Sequence, residues 1–123
     1  MPRKRSFETL GLPSRPERDA FYLEVMRKNC EDIVFDVGQA SLQKYLRHRL
    51  LHNATSMLLV DIGEKANRVS AEARQFYPDI PWNEVVELRH VITHDYGSLT
   101  RLQVHTIATT LVPALLESLG KSR

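Results

Sequence analysis

Apolar residues along this chain recur every three or four positions. Tyr22, Met26, Cys30, Ile33 and Val37 form one stripe, and Leu51, Ala54, Leu58, Ile62, Ala66, Val69 and Ala73 a second. Val85, Leu88 and Ile92 form a third, and Val104, Ile107, Ala108 and Leu111 a fourth. That spacing is the period of an α-helix turning one face to a core, and no period-two stretch or Asn-Gly turn competes with it. Proline and glycine sit mostly between the stripes, at Pro13, Pro16, Gly38, Pro78, Pro81, Gly97, Pro113 and Gly120. They predict helices over about residues 17–37, 41–76, 81–97 and 98–119. Ser14 and Glu17 have the spacing of a capping box at the first start. A break near Leu50 would divide the second segment into a short helix and a long one, and Pro113 either kinks the fourth or opens a last short helix. Gly63, inside the second segment, costs a helix about 1 kcal/mol relative to Ala, which a close neighbouring helix would offset. The expectation is an all-α antiparallel bundle of four or five helices over residues 14–123, preceded by a flexible basic extension over residues 1–13.

Composition narrows the class. A chain of 123 residues with 42% hydrophobic and 26% charged residues fits one soluble globular domain and leaves no room for two. The lone Cys30 excludes an intramolecular disulfide framework and a cysteine-built zinc site, and its place on the apolar stripe reads as buried filler. Apolar runs such as Met57 to Val60 are far shorter than a membrane span, and none follows Arg3, Lys4 and Arg5 as a secretory signal would require. The cytoplasm is the default location.

The net charge of +2 is too small to announce a nucleic-acid binder, but its distribution is uneven. Residues 17–36 and 61–87 are net acidic, while no acid occurs between Asp36 and Asp61, where Lys44, Arg47, His48, Arg49 and His52 lie. All five histidines, the others being His90, His94 and His105, lie in the basic blocks. Two readings stand: an anion-facing surface for phosphate or RNA, or basic segments that pair with the acidic helices.

Candidate chemistry concentrates in Arg89, His90, His94 and Tyr96. A guanidinium that holds phosphate beside an imidazole that exchanges protons is suited to phosphodiester cleavage. RNA supplies its own nucleophile, the 2′-hydroxyl, so such a reaction needs no metal. On a regular helix Arg89 and Tyr96 share a face, whereas His94 is turned about 140° from Arg89 and converges with it only if the helix loosens near its end. The competing reading is a helix terminus at which Arg89 pairs with a carboxylate and His94 meets the last carbonyls. His48 with His52, and His90 with His94, have the i, i+4 spacing of metal ligands, but the glutamate of a zincin motif and any supporting cysteine are missing. No metal or cofactor is called for, and a metal-binding bundle is the weakest alternative.

The arrangement Arg89-x4-His94-x-Tyr96 resembles the motif of HepT-like HEPN proteins, the toxin half of MNT/HepT toxin-antitoxin pairs. Ile62-Gly63-Glu64-Lys65-Ala66 is similar to a second stretch of that family, Tyr77-Pro78-Asp79-Ile80-Pro81-Trp82 to the segment leading into its motif helix, and Pro113 to a proline in its last helix. The likeness covers about residues 17–119. It implies a HEPN-like homodimer whose motif helices face each other across a cleft and cleave RNA without metal, in a type VII-like toxin-antitoxin system. It further implies a cognate minimal nucleotidyltransferase antitoxin that adenylylates the motif tyrosine, here Tyr96. By position Arg89 would hold the scissile phosphate, His94 would be the catalytic acid or base, and His90 would support them where the family often has Asn. The alternative from another class is a non-catalytic module that presents Tyr96 or a nucleotide to a nucleotidyltransferase.

Overall fold

A computed structural model describes residues 10–94 and 99–121 of the chain. Among them are α1 (Arg15–Gly38), α2 (Leu42–Arg47), α3 (Arg49–Arg68), α4 (Ala71–Arg74), α5 (Trp82–His94) and α6 (Arg101–Leu119), with no strand. The all-α bundle expected from the periodicity is what forms. The long second segment, however, is three helices. It breaks at His48, two residues before the expected point, and again at Val69 and Ser70.

Each break has a local cause. His48 closes α2 and opens α3 at once: its backbone leaves helical geometry at φ −102° and ψ 89°, and its Nδ1 accepts the Leu51 N–H at 3.1 Å. Ser70 caps α4 by accepting the Ala73 N–H at 3.1 Å, while its own hydroxyl and N–H donate to the Asp19 carboxylate at 2.7 and 2.9 Å. Asp19, on the first turns of α1, is thereby buried with its oxygens satisfied by a segment 51 residues away. The capping box at Ser14 and Glu17 is present, and Thr100 with Gln103 makes another at the start of α6. Pro113 neither stops α6 nor opens a further helix, since the helix runs through it to Leu119. The basic extension falls outside the described residues up to position 9, as does the expected helix stop at Gly97.

Packing gives α3 the central position. It lies against α1 on one side and α5 on the other and also touches α6, while α1 and α6 cover one another. Met26, Cys30, Ile33 and Val37 of α1 meet Leu59, Ile62 and Ala66 of α3, Val85, Leu88 and Ile92 of α5, and Val104, Ala108, Val112 and Leu115 of α6 in one core. The predicted stripes hold for α1 and α5. In the first turns of α3 the buried face is Thr55 and Leu59, in step with Ile62 and Ala66 further along the same helix, and Ala54 is exposed. Thr55 is tolerated there because its hydroxyl donates to the Leu51 carbonyl at 2.8 Å. Across α1 and α3, Asn29 donates to Asp61 at 2.9 Å, and Lys65 joins the same carboxylate at 2.5 Å. Burial alone would raise the Asp61 pKa, but these partners and Arg68 lower it on balance.

Two ties mark the ends of the bundle. At one, Arg74 donates to the Ala66 carbonyl at 3.0 Å and stacks 5.1 Å from the Trp82 ring, joining the end of α3 to the start of α5. At the other, Arg101 donates to the Leu46 carbonyl at 3.0 Å, joining the start of α6 to α2. Beside it the buried Tyr45 hydroxyl lies 3.0 Å from His52 Nδ1, with the His105 ring 4.9 Å from the Tyr45 ring. Burial, and then the Arg101 charge, lowers the His52 pKa, which favours the neutral imidazole whose Nδ1 accepts a hydrogen bond from the Tyr45 hydroxyl.

A histidine held neutral by the fold binds its proton more readily when unfolded. Its contribution is therefore full above pH about 6.5 and is lost as pH falls through the lower folded value. The urea midpoint should drop between pH 7.5 and pH 5, and His52→Gln should show a smaller drop; an equal drop in both would assign the effect to other groups.

Candidate active site

Backbone approaches backbone closely where α3 meets α5. A Cβ placed on Gly63 would stand 2.7 Å from the Arg89 nitrogen, 3.1 Å from the Val85 carbonyl oxygen and 3.2 Å from the Arg89 Cβ. Two of the three neighbours are main chain, which cannot swing aside, so only glycine permits this contact. The cost of glycine in a helix is offset by seating α5 directly on α3 at Arg89.

Glu64, the next residue, then faces the Arg89 side chain. Its Oε1 lies 3.8 Å from Arg89 Nη1, too long for a hydrogen bond, and the side chains are 27% (Arg89) and 44% (Glu64) exposed. Arg89 Nε is buried and has no hydrogen-bond partner among the described residues. By contrast Arg27, on the surface of α1, is engaged by both Glu24 and Glu31. The fold thus fixes the base of the Arg89 side chain tightly and uses little of the hydrogen-bonding capacity of its head.

Of the other residues singled out in the sequence, His90 is exposed on α5, and Thr93, between the two histidines, donates to the Arg89 carbonyl at 2.6 Å. The α5 backbone is helical through His94, whose side chain lies outside the described residues, as does the whole of Tyr96. Loosening of the helix before His94 is therefore not observed. Regular helix geometry puts the backbone of position 94 about 7.5 Å along the axis from Arg89 and about 140° around it. Gly63 and Glu64, the residues that seat and face Arg89, were not among the candidate site residues. The signal that could have found them was a glycine inside a helical stripe followed directly by an acid.

The remaining candidates separate from this site. Cys30 is buried in the core, and burial, then Glu31, pushes its thiol up to about 12, which keeps it protonated and poorly nucleophilic. His48 caps α3 and His52 meets Tyr45, each through Nδ1 and with different partners, and no group of three or more metal-ligating side chains occurs among the described residues. No helix of the described residues is long and apolar enough to cross a membrane.

Comparison with known proteins identifies the class. Residues 26–121 match the family described as ribonuclease HepT-like, and this span includes the α3–α5 contact and the whole Arg-x4-His-x-Tyr motif. The chain belongs to that family, which makes it a ribonuclease of the HEPN class. A protein of Methanocaldococcus jannaschii named as a candidate RNase is 22% identical over 102 residues, covering 83% of this chain and 93% of the relative. Another candidate RNase, from Caldanaerobacter subterraneus subsp. tengcongensis, is 28% identical over 75 residues, 61% of this chain and 67% of the relative. No solved structure matches the chain significantly.

Gly63→Ala tests the seating of Arg89. Forcing a methyl group against main chain should cost about 2 kcal/mol of stability despite the better helix propensity of alanine, read as a lower urea midpoint; an unchanged or higher midpoint would show that α5 yields freely.

Proposed function

We propose that this protein is the toxin of a type VII-like toxin-antitoxin pair, a homodimeric, metal-independent endoribonuclease that acts through Arg89 and His94. The observation that supports this reading most is Arg89 itself: a guanidinium rigidly based at Gly63, partly exposed, and only loosely engaged by Glu64. Glu64 meets Arg89 as a long ion pair at 3.8 Å without a hydrogen bond, which leaves the guanidinium donors available to a phosphate.

In the proposed reaction His94 exchanges protons with the RNA. The 2′-hydroxyl loses its proton and attacks the adjacent phosphorus, the bond to the 5′-oxygen breaks, and that oxygen gains a proton. The products are a 2′,3′-cyclic phosphate and a free 5′-hydroxyl. Arg89 holds the phosphate and stabilises the charge that grows on its oxygens, and His90 supports the pair. Pairing α5 with a second copy offers a route for Arg89 of one protomer to work with His94 of the other. It fits the packing of α5, which leans chiefly on α3, and the 73% exposure of Met57 on the adjacent helix. Tyr96, two residues beyond His94, is the acceptor for AMP from a cognate minimal nucleotidyltransferase, and a bulky anion there would oppose the entry of RNA phosphates.

Purified protein should cleave RNA in EDTA, and His94→Ala and Arg89→Gln should each lose about 100-fold or more of the rate. Cleavage abolished by EDTA, or equal in wild type and His94→Ala, would overturn the assignment. With the partner nucleotidyltransferase and ATP, the intact mass should rise by whole AMP units in wild type and stay constant in Tyr96→Phe; equal gains would move the acceptor elsewhere.

A further inference from the structure

The acid-free stretch between Asp36 and Asp61 folds into the elbow at which α2 turns into α3. Lys44, Arg47, His48, Arg49 and Leu50 line an open depression there of about 610 Å³. Charge pairing elsewhere is common: Arg15, Arg27, Lys65, Arg89 and Lys121 each meet a carboxylate. The side chains of Lys44, Arg47 and Arg49 enter no ion pair or hydrogen bond among the described residues. Acidic helices therefore do not neutralise this stretch. No acid lines it; Asp36 lines an adjoining depression of about 380 Å³ that shares Lys44, His48 and Leu50.

The shape is fixed by the fold. His48 spends Nδ1 on the Leu51 N–H, which in the neutral ring leaves Nε2 carrying the proton as a donor. Tyr45 anchors α2 from beneath, fully buried, and Arg101 holds the end of α2 through the Leu46 carbonyl. Arg101 also ties the elbow to the chain segment that follows the motif. It follows His94 by seven residues, so the two Cα atoms are no more than about 25 Å apart, a distance that a few nucleotides span.

We infer that the α2–α3 elbow is an exosite that binds the phosphodiester backbone of a single-stranded RNA substrate outside the cleavage centre. The inference rests on the ribonuclease reading for its ligand, but not on the roles of Arg89 and His94. Three cations and an imidazole donor in a concave site suit successive phosphates. No Phe, Tyr or Trp lines the depression, so bases have no stacking platform there and binding is indifferent to sequence.

The experiment measures binding of a fluorescent single-stranded RNA oligonucleotide to His94→Ala protein across a salt series, and cleavage by otherwise wild-type protein. Adding Lys44→Gln, Arg47→Gln and Arg49→Gln together should weaken binding and flatten the slope of log affinity against log salt by about 2, since each phosphate contact on a single strand contributes about 0.7. In the cleaving background the triple variant should raise KM about tenfold, with most of the loss in KM rather than kcat. Lys28→Gln, on α1, is the control for charge alone and should leave both quantities unchanged. A triple variant with the wild-type melting temperature, KM and salt slope would overturn the exosite while leaving the nuclease reading intact. Loss of RNA binding in the triple variant of a protein that cleaves nothing would support the exosite and defeat the catalytic reading. Unchanged RNA binding with lost capture of the nucleotidyltransferase would overturn the exosite by making the elbow a protein-docking surface.

Discussion

The contact of Gly63 with the Arg89 main chain governs how the rest of the molecule is arranged. Helices normally meet through side chains on both elements, and here a missing Cβ lets the α5 main chain lie directly against α3. Close seating fixes the height and rotation of α5 on α3. That rotation in turn decides that Val85, Leu88 and Ile92 enter the core, that Arg89 falls beside Glu64, and that His90 faces outward. A single residue without a side chain thus orients the element that carries the motif. The polar head of Arg89 inherits a rigid base without being consumed by the packing that makes it rigid.

The same division between held and available groups recurs at the other end of the bundle. Tyr45, His52 and Arg101 satisfy one another or the backbone beneath the elbow, while Lys44, Arg47 and Arg49 above them are left to solvent. Asp19 and Asp61, both acids in net-acidic segments, are instead spent inside the fold, one accepting from Ser70 at the start of α4 and the other joining Asn29 and Lys65. Part of the negative charge counted along the chain is therefore structural and does not face an approaching anion. A nearly neutral total is compatible with a locally basic surface for that reason.

Helix identity, the core stripes of α1 and α5, the capping box at Ser14 and the meaning of Gly63 were all legible in the sequence, because each depends on spacing along one helix. The break expected near Leu50 falls at His48, two residues earlier, where an imidazole accepting a backbone N–H makes an uncommon cap that no proline or glycine marks. Thr55 takes the buried place expected for Ala54 because Thr55, Leu59, Ile62 and Ala66 lie on one face of α3, and a threonine does not announce itself as a core residue. The second break depends on Asp19 reaching Ser70 across 51 residues, a contact that no local pattern records. At the site, Arg89 was found by its motif, but its partner Glu64 is a pairing between helices. Its looseness is a distance, and distances between helices are not written in periodicity.

The covering of α1 by α6 carries a further consequence for how the molecule is made. It joins helices near opposite ends of the chain, and the loop it closes is several times longer than the one that brings Gly63 to Arg89. Loop closure grows more costly with length, and a growing chain possesses α3 and α5 before α6, which begins seven residues after α5 ends and is complete only at Leu119. The motif helix can thus be seated while the last wall of the core is still missing, so during synthesis the apolar faces of α1 and α3 await their cover longer than α5 awaits its own.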